Sequence, residues 1–287
     1  MTGEPGPGTL VLVSTPIGNL GDLSPRALET LAHADVVCCE DTRRTRGLLT
    51  HAGLKGIRLM SLHGHNEMAR VDAILGHLAD GRTVAVVSDA GTPAVSDPGA
   101  RLVAAAVAAG VTVSAVPGPS AALAALVVSG LPTDRFCFEG FLPRRGAGRR
   151  RRIEAVAAQG CSVIIFEAPG RVGATLSDLV AACGPERRVV IARELTKLHE
   201  EVWRGTLVDA SASFAEREVR GEIVVVLAGD PDAGRPPDDD DVADALRRRL
   251  GAGATLRDAA ASVAGDLGVS RRRAYDLALE LRRNAKP

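Results

Sequence analysis

Three loops of this sequence place polar groups directly after apolar, strand-like runs. Residues 88–93 read Ser-Asp-Ala-Gly-Thr-Pro and offer the Asp89 carboxylate, the Thr92 hydroxyl and backbone amides that small neighbours leave accessible. Residues 117–121, Pro-Gly-Pro-Ser-Ala, open a helix whose first amides are free to receive a carboxylate or a ribose oxygen. Residues 15–20, Thr-Pro-Ile-Gly-Asn-Leu, follow the first apolar run. The groups of residues 88–93 suit a polar, cationic ligand that carries an amino acid.

Each loop taken alone is also compatible with an ordinary tight turn. The first loop lacks G-x-G-x-x-G, and no G-x-x-x-x-G-K-[ST] occurs in the chain, so the fingerprints of dinucleotide and P-loop sites are missing. Open α/β sheets bind ligands at the carboxyl ends of their strands, which is where these loops fall. Several such loops therefore indicate a binding site for a different class of ligand.

Residues 40–45, Glu-Asp-Thr-Arg-Arg-Thr, bring two carboxylates next to two guanidiniums after another strand. In one interpretation Glu40 or Asp41 is a base supported by nearby charges. In another, Arg43 and Arg44 clamp a phosphate. The segment is also compatible with a helix start capped by one of its own polar residues, and capping does not exclude function.

Lys197 stands out because only three of the 35 basic residues are lysines. A lysine that persists in an arginine-rich chain is a candidate for a role that arginine cannot fill. It lies in Arg-Glu-Leu-Thr-Lys-Leu-His-Glu, residues 193–200. The alternative is a surface lysine paired with Glu194 or Glu200.

A dense arginine segment follows Pro143. Its density suits phosphate contacts on a structured RNA better than recognition of a small metabolite, although most charge runs are solvated loop or helix faces. With one Trp, one Tyr and five Phe, stacking platforms for unpaired bases are not evident. The candidate RNA contacts here are Arg144, Arg145, Arg149, Arg150, Arg151 and Arg152.

The composition argues against several other classes of protein. Five cysteines without a C-x-x-C pair fit neither a disulfide framework nor a structural zinc site. The histidines of His63-Gly64-His65 lack further ligands nearby, so no metal is expected. The sequence shows no secretory leader and no uninterrupted apolar run of about 18 residues. We therefore expect a cytoplasmic protein without a membrane segment.

Strands and helices alternate along the chain, which predicts an α/β fold with a mostly parallel first sheet. Apolar runs predict strands at 9–14, 36–39, 57–62, 83–87 and 111–116, then at 136–139, 162–166, 189–192, 202–206 and 222–228. We predict a disordered start at 1–8, α/β domains at 9–130 and 131–230, an acidic linker at 231–241 and a helical appendage at 242–287. The appendage is either helix-turn-helix-like or a plain helical cap.

Six motifs occur in an order typical of one family. They are T-P-I-G-N-L-G-D, E-D-T-R-R-T, S-D-A-G-T-P, V-P-G-P-S-A, F-E-A-P-G-R-V and R-E-L-T-K-L-H-E. Together they resemble the ribosomal small-subunit methyltransferase I family of the tetrapyrrole-methylase superfamily. The resemblance implies a class III methyltransferase fold with S-adenosylmethionine in a cleft between two α/β domains, and a homodimer. It also implies methyl transfer to a cytidine ribose 2′-hydroxyl in the decoding centre of 16S ribosomal RNA.

The resemblance also assigns site residues, motif by motif. The cofactor contacts would be Pro16, Ile17, Gly18, Asp89, Ala90, Gly91, Thr92, Ser120, Ala121, Phe166, Glu167 and Ala168. Because a ribose hydroxyl is a poor nucleophile, the catalytic candidates are Lys197, Glu40 and Asp41. The candidate RNA contacts outside the arginine segment are Arg43, Arg44, Arg171 and Arg193.

Two other functions remain open at this point. One is a methyltransferase of the same fold that acts on a tetrapyrrole or another small metabolite, whose carboxylates the arginines would bind. The other is a non-catalytic RNA-binding ribosome factor that has kept the fold and lost turnover. The arginine segment argues against the first, and failure to bind S-adenosylmethionine would favour the second.

Overall fold

The structure, a computed structural model, describes residues 8–215, 217–233 and 237–284. It divides into two compact units, one ending at Pro231 and the other starting at Asp232. Within the described ranges no helix is both long and apolar enough to cross a membrane. Of the predicted disordered start, only Gly8 is described, and its amide donates to the Leu78 carbonyl at 3.0 Å. Order therefore begins no later than residue 8, and residues 1–7 lie outside the described part.

Five parallel strands, each followed by a helix, form the first half of the larger unit. The strands are β1 (Thr9–Val13), β2 (Val36–Cys39), β3 (Leu59–Ser61), β4 (Thr83–Val87) and β5 (Thr112–Val116). The helices are α1 (Pro25–His33), α2 (Thr42–His51), α3 (Glu67–Ala79), α4 (Ala100–Ala108) and α5 (Ala121–Ser129), with a 3-10 turn at Leu20–Asp22. The strand order is β3-β2-β4-β1-β5.

Alternate residues of these strands enter two separate apolar layers. Leu10 and Val84 pack in one layer, and Val11 and Val13 pack in the other. Strands of a parallel sheet that is buried on both faces read as continuous apolar runs. This is why the predicted strands agree with the observed ones, apart from β3, which is shorter than its predicted range.

The second half contains a mixed sheet. Its strands are β6 (Phe136–Phe141), β7 (Ser162–Glu167), β8 (Arg188–Arg193), β9 (Glu201–Thr206) and β10 (Ile223–Leu227). Its helices are α6 (Ala147–Ala157), α7 (Val172–Cys183) and α8 (Leu207–Ala215), with a 3-10 turn at Pro169–Arg171. The order is β6-β7-β10-β8-β9, in which β6 and β7 are parallel and the other pairs are antiparallel.

Helix α5 follows the first sheet in the chain but packs on the second. Its buried residues Ala122, Ala125 and Leu126 share one apolar cluster with Ile164 and Val224 of the second sheet. The predicted boundary at residue 130 thus falls just after the helix that joins the two halves. Helices α6, α7 and α8 contribute to the layer on the opposite face of that sheet.

The C-terminal unit contains three helices, α9 (Asp239–Gly251), α10 (Leu256–Leu267) and α11 (Arg271–Asn284), around a core of small and apolar residues. The predicted linker extends too far, because α9 begins at Asp239. The Asp238 carboxylate accepts the Asp241 amide at 2.9 Å, and the Asp241 carboxylate accepts the Asp238 amide at 3.0 Å. Acidic residues are stable there because they bind the free amides of the first turn. Residues 234–236 of the predicted linker lie outside the described part.

Candidate functional site

A cavity of about 430 Å³ opens at the carboxyl ends of the first sheet and is closed by the second half. The first half lines it with Ile17, Glu40, Arg44, residues 89–92, residues 95–97, Ser120 and Ala121. The second half lines it with Phe141, residues 166–169 and residues 221–224. The three polar loops of the sequence therefore meet in one place, since the carboxyl ends of parallel strands share one edge of the sheet.

Backbone and hydroxyl groups hold these loops together. Thr15 and Gly91 exchange two amide-to-carbonyl hydrogen bonds, of 2.9 and 3.1 Å. The Thr15 hydroxyl donates to the Ser88 carbonyl at 3.2 Å, and the Thr92 hydroxyl donates to the Pro119 carbonyl at 3.3 Å. Gly91 has a φ of +83°, a backbone conformation that favours glycine. The threonines of the two loops thus fix the cavity floor.

Only Ile17 of the first loop lines the cavity, whereas Pro16 and Gly18 do not. A Cβ atom on Gly18 would lie 2.4 Å from Cγ of Lys197. The absence of a side chain at this position therefore lets the second half pack closely on the loop. The assignment of Pro16 and Gly18 as direct ligand contacts stays a prediction that the cavity lining does not support.

The first half contributes three carboxylates to the cavity lining, those of Glu40, Asp89 and Asp97, and the second half adds Glu167 and Glu222. Burial and the neighbouring Asp89 charge raise the pKa of Glu40. Burial, followed by the Glu40 charge, raises the pKa of Asp97 to about 6. Arg44 offsets part of this charge, with its guanidinium 3.6 Å from the Asp89 carboxylate. The excess of carboxylates favours a cationic ligand.

Asp41 lies beside this cluster and does not line the cavity. Its carboxylate caps α2 by accepting the Arg43 amide at 2.8 Å. Its own amide donates to the Asp89 carboxylate at 3.0 Å. The cavity lining therefore gives no support to Asp41 as a catalytic group, since its carboxylate caps α2 and its backbone amide holds Asp89.

The Glu167 side chain points into the second half and has no exposed surface. Its carboxylate accepts the Ala168 amide at 2.8 Å and the Thr175 hydroxyl at 2.5 Å, and it pairs with Arg171 at 3.2 Å. Arg171 also donates to the Leu142 carbonyl at 2.8 Å. Glu167 therefore lines the cavity while its carboxylate is bound internally, and its assignment to the ligand stays a prediction. The assignment of Arg171 to RNA is corrected, because its guanidinium binds Glu167 and the Leu142 carbonyl.

The apolar wall of the cavity comes from phenylalanines. The Phe166 ring packs edge-to-face on Phe138 at 4.9 Å and on Phe141 at 5.7 Å between ring centroids. Phe141 is more than half exposed. The cavity thus combines a negative floor with an aromatic wall, and this suits a ligand that is part cation and part flat ring.

Residues 9–211 match the family model of the tetrapyrrole (corrin/porphyrin) methylases. The chain belongs to the tetrapyrrole methylase family. A second model, the RsmI C-terminal HTH domain, matches residues 236–282 of this methylase. The three helices of the C-terminal unit thus form a helix-turn-helix domain, one of the two possibilities that the sequence left open.

Proteins named ribosomal RNA small subunit methyltransferase I are similar to the methylase over nearly its whole length. The Synechocystis protein is 45% identical over 275 residues, which cover 96% of this chain and 98% of that protein. The Mycobacterium tuberculosis protein is 47% identical, with 96% of each chain covered. The Escherichia coli O157:H7 protein is 43% identical, with 95% of each covered. The resemblance carried by the six motifs is confirmed, and the methylase is an S-adenosylmethionine-dependent methyltransferase.

Solved structures confirm the fold. The methyltransferase CobJ aligns with a TM-score of 0.60 at 23% identity, covering 78% of this chain and 95% of that one. Uroporphyrin-III C-methyltransferase from Thermus thermophilus, in complex with S-adenosyl homocysteine, aligns with a TM-score of 0.55 at 20% identity, covering 77% and 97%. The predicted class III architecture of two α/β halves is therefore correct.

The arginine segment of the methylase separates into buried and exposed members. The Arg149 side chain is only 10% exposed and binds Asp178 at 2.7 Å, the Thr175 hydroxyl at 3.0 Å and the Pro143 carbonyl at 3.1 Å. Its assignment as an RNA contact is corrected, because its guanidinium binds groups within the second half and supports the Glu167 network through Thr175.

The remaining arginine candidates differ in whether their side chains form ion pairs or are exposed without one. Arg152 pairs with Glu139, and Arg193 pairs with Glu201 at 3.0 Å, so the second of these bonds ties β8 to β9. Arg43 is exposed and is not among the cavity residues. The exposed arginines of the segment with no ion pair in the described part of the chain are Arg144, Arg145, Arg150 and Arg151.

Lys197 lies behind the cavity wall. Its ammonium contacts Glu194 at 2.7 Å and Glu222 at 3.1 Å, and Glu222 itself lines the cavity. Burial lowers the pKa of Lys197, but the hydrogen bonds to both glutamates outweigh it and the pKa is raised. Lys197 is therefore protonated at neutral pH and cannot accept a proton. The alternative pairing expected from the sequence is observed for Glu194, with Glu222 in place of Glu200.

Several residues that line the cavity were not predicted from the sequence. Asp97 lies beyond the end of the Ser-Asp-Ala-Gly-Thr-Pro loop, at the tip of the segment that leads into α4. Phe141 ends β6, and residues 221–224 span the start of β10, which begins at Ile223. The Asp-Pro-Gly sequence at 97–99 was the available signal for Asp97, since it marks a tight turn next to a helix start.

No three His, Cys, Asp or Glu side chains come together as a possible metal site among the residues that the structure describes. The rings of His63 and His65 lie edge-to-face, 6.1 Å apart. The His63 backbone amide donates to the Asn66 side chain at 2.8 Å, so this segment forms the turn that precedes α3.

Proposed function

We propose that this methyltransferase transfers the methyl group of S-adenosylmethionine to the ribose 2′-hydroxyl of a cytidine in the decoding centre of 16S ribosomal RNA. The observation that carries the proposal is the 43–47% identity, over about 95% of each chain, to proteins named for methylation of small-subunit ribosomal RNA. Four exposed arginines of residues 144–151, which form no ion pair with any residue that the structure describes, support it, because they offer phosphate contacts beyond what a small metabolite needs.

The cavity described above fits the cofactor. The carboxylates that the first half contributes, from Glu40, Asp89 and Asp97, suit a ligand with a sulfonium and an ammonium group. The start of α5, where the Ser120 side chain caps the helix, presents backbone amides to a carboxylate or a ribose. Phe141 and Phe166 offer faces and edges to a purine ring.

S-adenosylmethionine, when bound, supplies an electrophilic methyl carbon. The chain then has two tasks, namely to hold the acceptor hydroxyl in line and to accept the proton that it loses. Lys197 cannot take this proton because it is already protonated, and Asp41 is absent from the cavity. We propose that Asp97 accepts the proton, with Glu40 raising its proton affinity by charge repulsion.

The pH dependence of activity and of stability should reveal Asp97. Its pKa of about 6 lies above the ordinary value, so methyl transfer should rise as pH increases through about 6 and then level off. Asp97 ionises less readily in the folded state, where its pKa is about 6, than in the unfolded chain, where it is about 4. The native protein should therefore lose stability relative to Asp97→Asn as pH rises from about 4 to about 6. The variant should be inactive yet more stable at pH 8. Activity profiles and urea unfolding at five pH values test this, and parallel stability curves would contradict it.

We also propose that the methyltransferase acts as a homodimer in the cytoplasm, where small subunits are found. The supporting observation is the apolar outer face of α5, on which Leu123, Val127 and Val128 are exposed, Val127 by 71%. Exposed apolar patches of this kind are typical of interfaces between subunits.

The test of the function is methyl transfer from radiolabelled S-adenosylmethionine to small subunits that lack the modification. Naked 16S ribosomal RNA and a tetrapyrrole precursor serve as the other two acceptors. Nuclease digestion followed by mass spectrometry should place the label on a cytidine 2′-oxygen. Label only in the tetrapyrrole would replace this function by that of a small-molecule methyltransferase. Cofactor binding without any transfer would overturn it as well.

A further inference from the structure

The C-terminal unit contains a groove of about 1050 Å³ that lies far along the chain from the cavity residues. Its apolar lining comes from Leu250 of α9, Leu256 of α10 and Leu281 of α11, together with Tyr275. Tyr275 is the single tyrosine of the chain, and it is 41% exposed. An aromatic ring left open in a groove is available to a flat partner, although the scarcity of aromatic residues predicted no stacking platform.

Three arginines, one from each helix, line the same groove: Arg247, Arg257 and Arg282. Arg257 and Arg282 form no ion pair within the described part of the chain. Arg247 pairs with Asp244 in an exposed bridge of 2.5 Å, which is of little energetic weight in water. None of the lining residues is acidic. The nearest acid on α10, Asp258, is bound to the Thr255 hydroxyl at 2.7 Å.

The arginines and the exposed tyrosine of the groove together favour one kind of partner. Three cations beside an aromatic ring complement a polyanion with exposed flat rings, which is unpaired RNA. A duplex offers phosphates but keeps its bases stacked inside, and an acidic peptide offers charge without flat rings. The arginines at the start of α11, Arg271 and Arg272, are at the position where helix-turn-helix domains contact duplex grooves, and they do not line this groove.

We propose that the groove binds an unpaired segment of the RNA substrate, with a base stacked on Tyr275 and phosphates bound by Arg257 and Arg282. This rests on the proposed function, because it takes RNA as the substrate. It goes beyond that function in assigning the C-terminal unit a separate RNA site. The cavity performs the transfer, and the groove increases the affinity for the substrate.

The test compares binding of a fluorescein-labelled, 12-nucleotide single-stranded RNA by the full-length protein and its variants. Tyr275→Ala should weaken binding about tenfold, and Tyr275→Phe, which keeps the ring, should bind as the native protein does. Replacing both Arg257 and Arg282 by alanine should lower the slope of log affinity against log salt by about 1.4. The matched control replaces Arg248 and Arg283, which are exposed arginines outside the groove, and should change affinity much less.

Cofactor binding, circular dichroism and methyl transfer to small subunits separate this proposal from the proposed function. S-adenosylmethionine binding, measured by calorimetry, should be unchanged in every variant, and circular dichroism should show an intact fold. If the native protein methylates small subunits and Tyr275→Ala binds and methylates equally well, the groove is not an RNA site. Equal losses in the groove and control arginine pairs, or preference for a duplex of the same sequence, would also overturn it. Absence of methylation by the native protein would count against the function alone.

Discussion

Replacing Glu67 by alanine should destabilise the protein by about 3 kcal/mol and abolish cofactor binding in the molecules that remain folded. Glu67 is 6% exposed, and one of its carboxylate oxygens accepts three backbone amides of another helix. These amides belong to Gly99, Arg101 and Leu102, at 3.1, 3.0 and 3.3 Å. They are the free donors at the start of α4, whose cap residue, a glycine, has no side chain to bind them.

The expected loss of cofactor binding follows from the loop that α4 anchors. Ala94 and Ser96 have φ values of +67° and +62°, conformations that cost L-residues about 1 kcal/mol or more each. The same loop contributes Val95, Ser96 and Asp97 to the cavity. Without Glu67 the helix start is no longer fixed, and the strained loop should relax away from its present position.

Two variants make the test specific. Glu67→Gln keeps an acceptor oxygen without the charge, so it should retain part of both properties. Asp72→Ala removes an exposed acid from the same helix and should change neither. Urea unfolding gives the stability, and calorimetric titration with S-adenosylmethionine gives the affinity. Native affinity in a destabilised Glu67→Ala protein would show that the carboxylate stabilises the fold without positioning the loop.

Asp89→Asn should reduce methyl transfer about 100-fold, with most of the loss in cofactor affinity. The asparagine can still accept the Asp41 amide that now lies 3.0 Å from the carboxylate. It cannot offset the Arg44 charge or attract a cationic ligand. The geometry of the loop should therefore persist while its electrostatics change.

The matched control for this variant is Asp41→Asn. Asp41 caps α2 next to the cavity without lining it, so its replacement should cost stability of less than about 1 kcal/mol and little affinity. Steady-state kinetics with varied S-adenosylmethionine separate the two effects. Equal losses in the two variants would mean that Asp89 acts only through the shape of the loop.

The sequence predicted the first half of the site well because parallel strands obey a simple rule. Residues after β1, β2, β4 and β5 end at one edge, so Glu40, Asp89, Thr92 and Ser120 were expected together and were found together. The rule fails in the second half. Strand β10 runs antiparallel to β7, with Ile223 opposite Glu167, so residues that precede β10 share an edge with residues that follow β7. Looking for site residues only in the loops that follow strands therefore misses residues 221–224.

The arginine segment shows a different reason for error. Residues 149–152 lie on α6, where consecutive residues point in different directions, so four arginines in a row cannot share one exposed face. Arg149, Ile153 and Val156 have the spacing of one helical face, and all three are buried. The periodicity was present in the sequence, but the density of charge suggested that the whole segment was exposed. The internal partners of Arg149, Asp178 and Thr175, come from a different helix and could not be read from spacing.

The position of α5 determines whether the two halves of the enzyme can unfold separately or fold as separate fragments. This helix begins at the cavity with Ser120 and buries Ala122, Ala125 and Leu126 against the second sheet. A chain cut at Gly130 would leave that surface bare on one fragment and its complement bare on the other, so neither fragment should fold alone. Residues 8–231 should instead unfold in one cooperative transition, and ligand binding should raise the melting temperature of both sheets together.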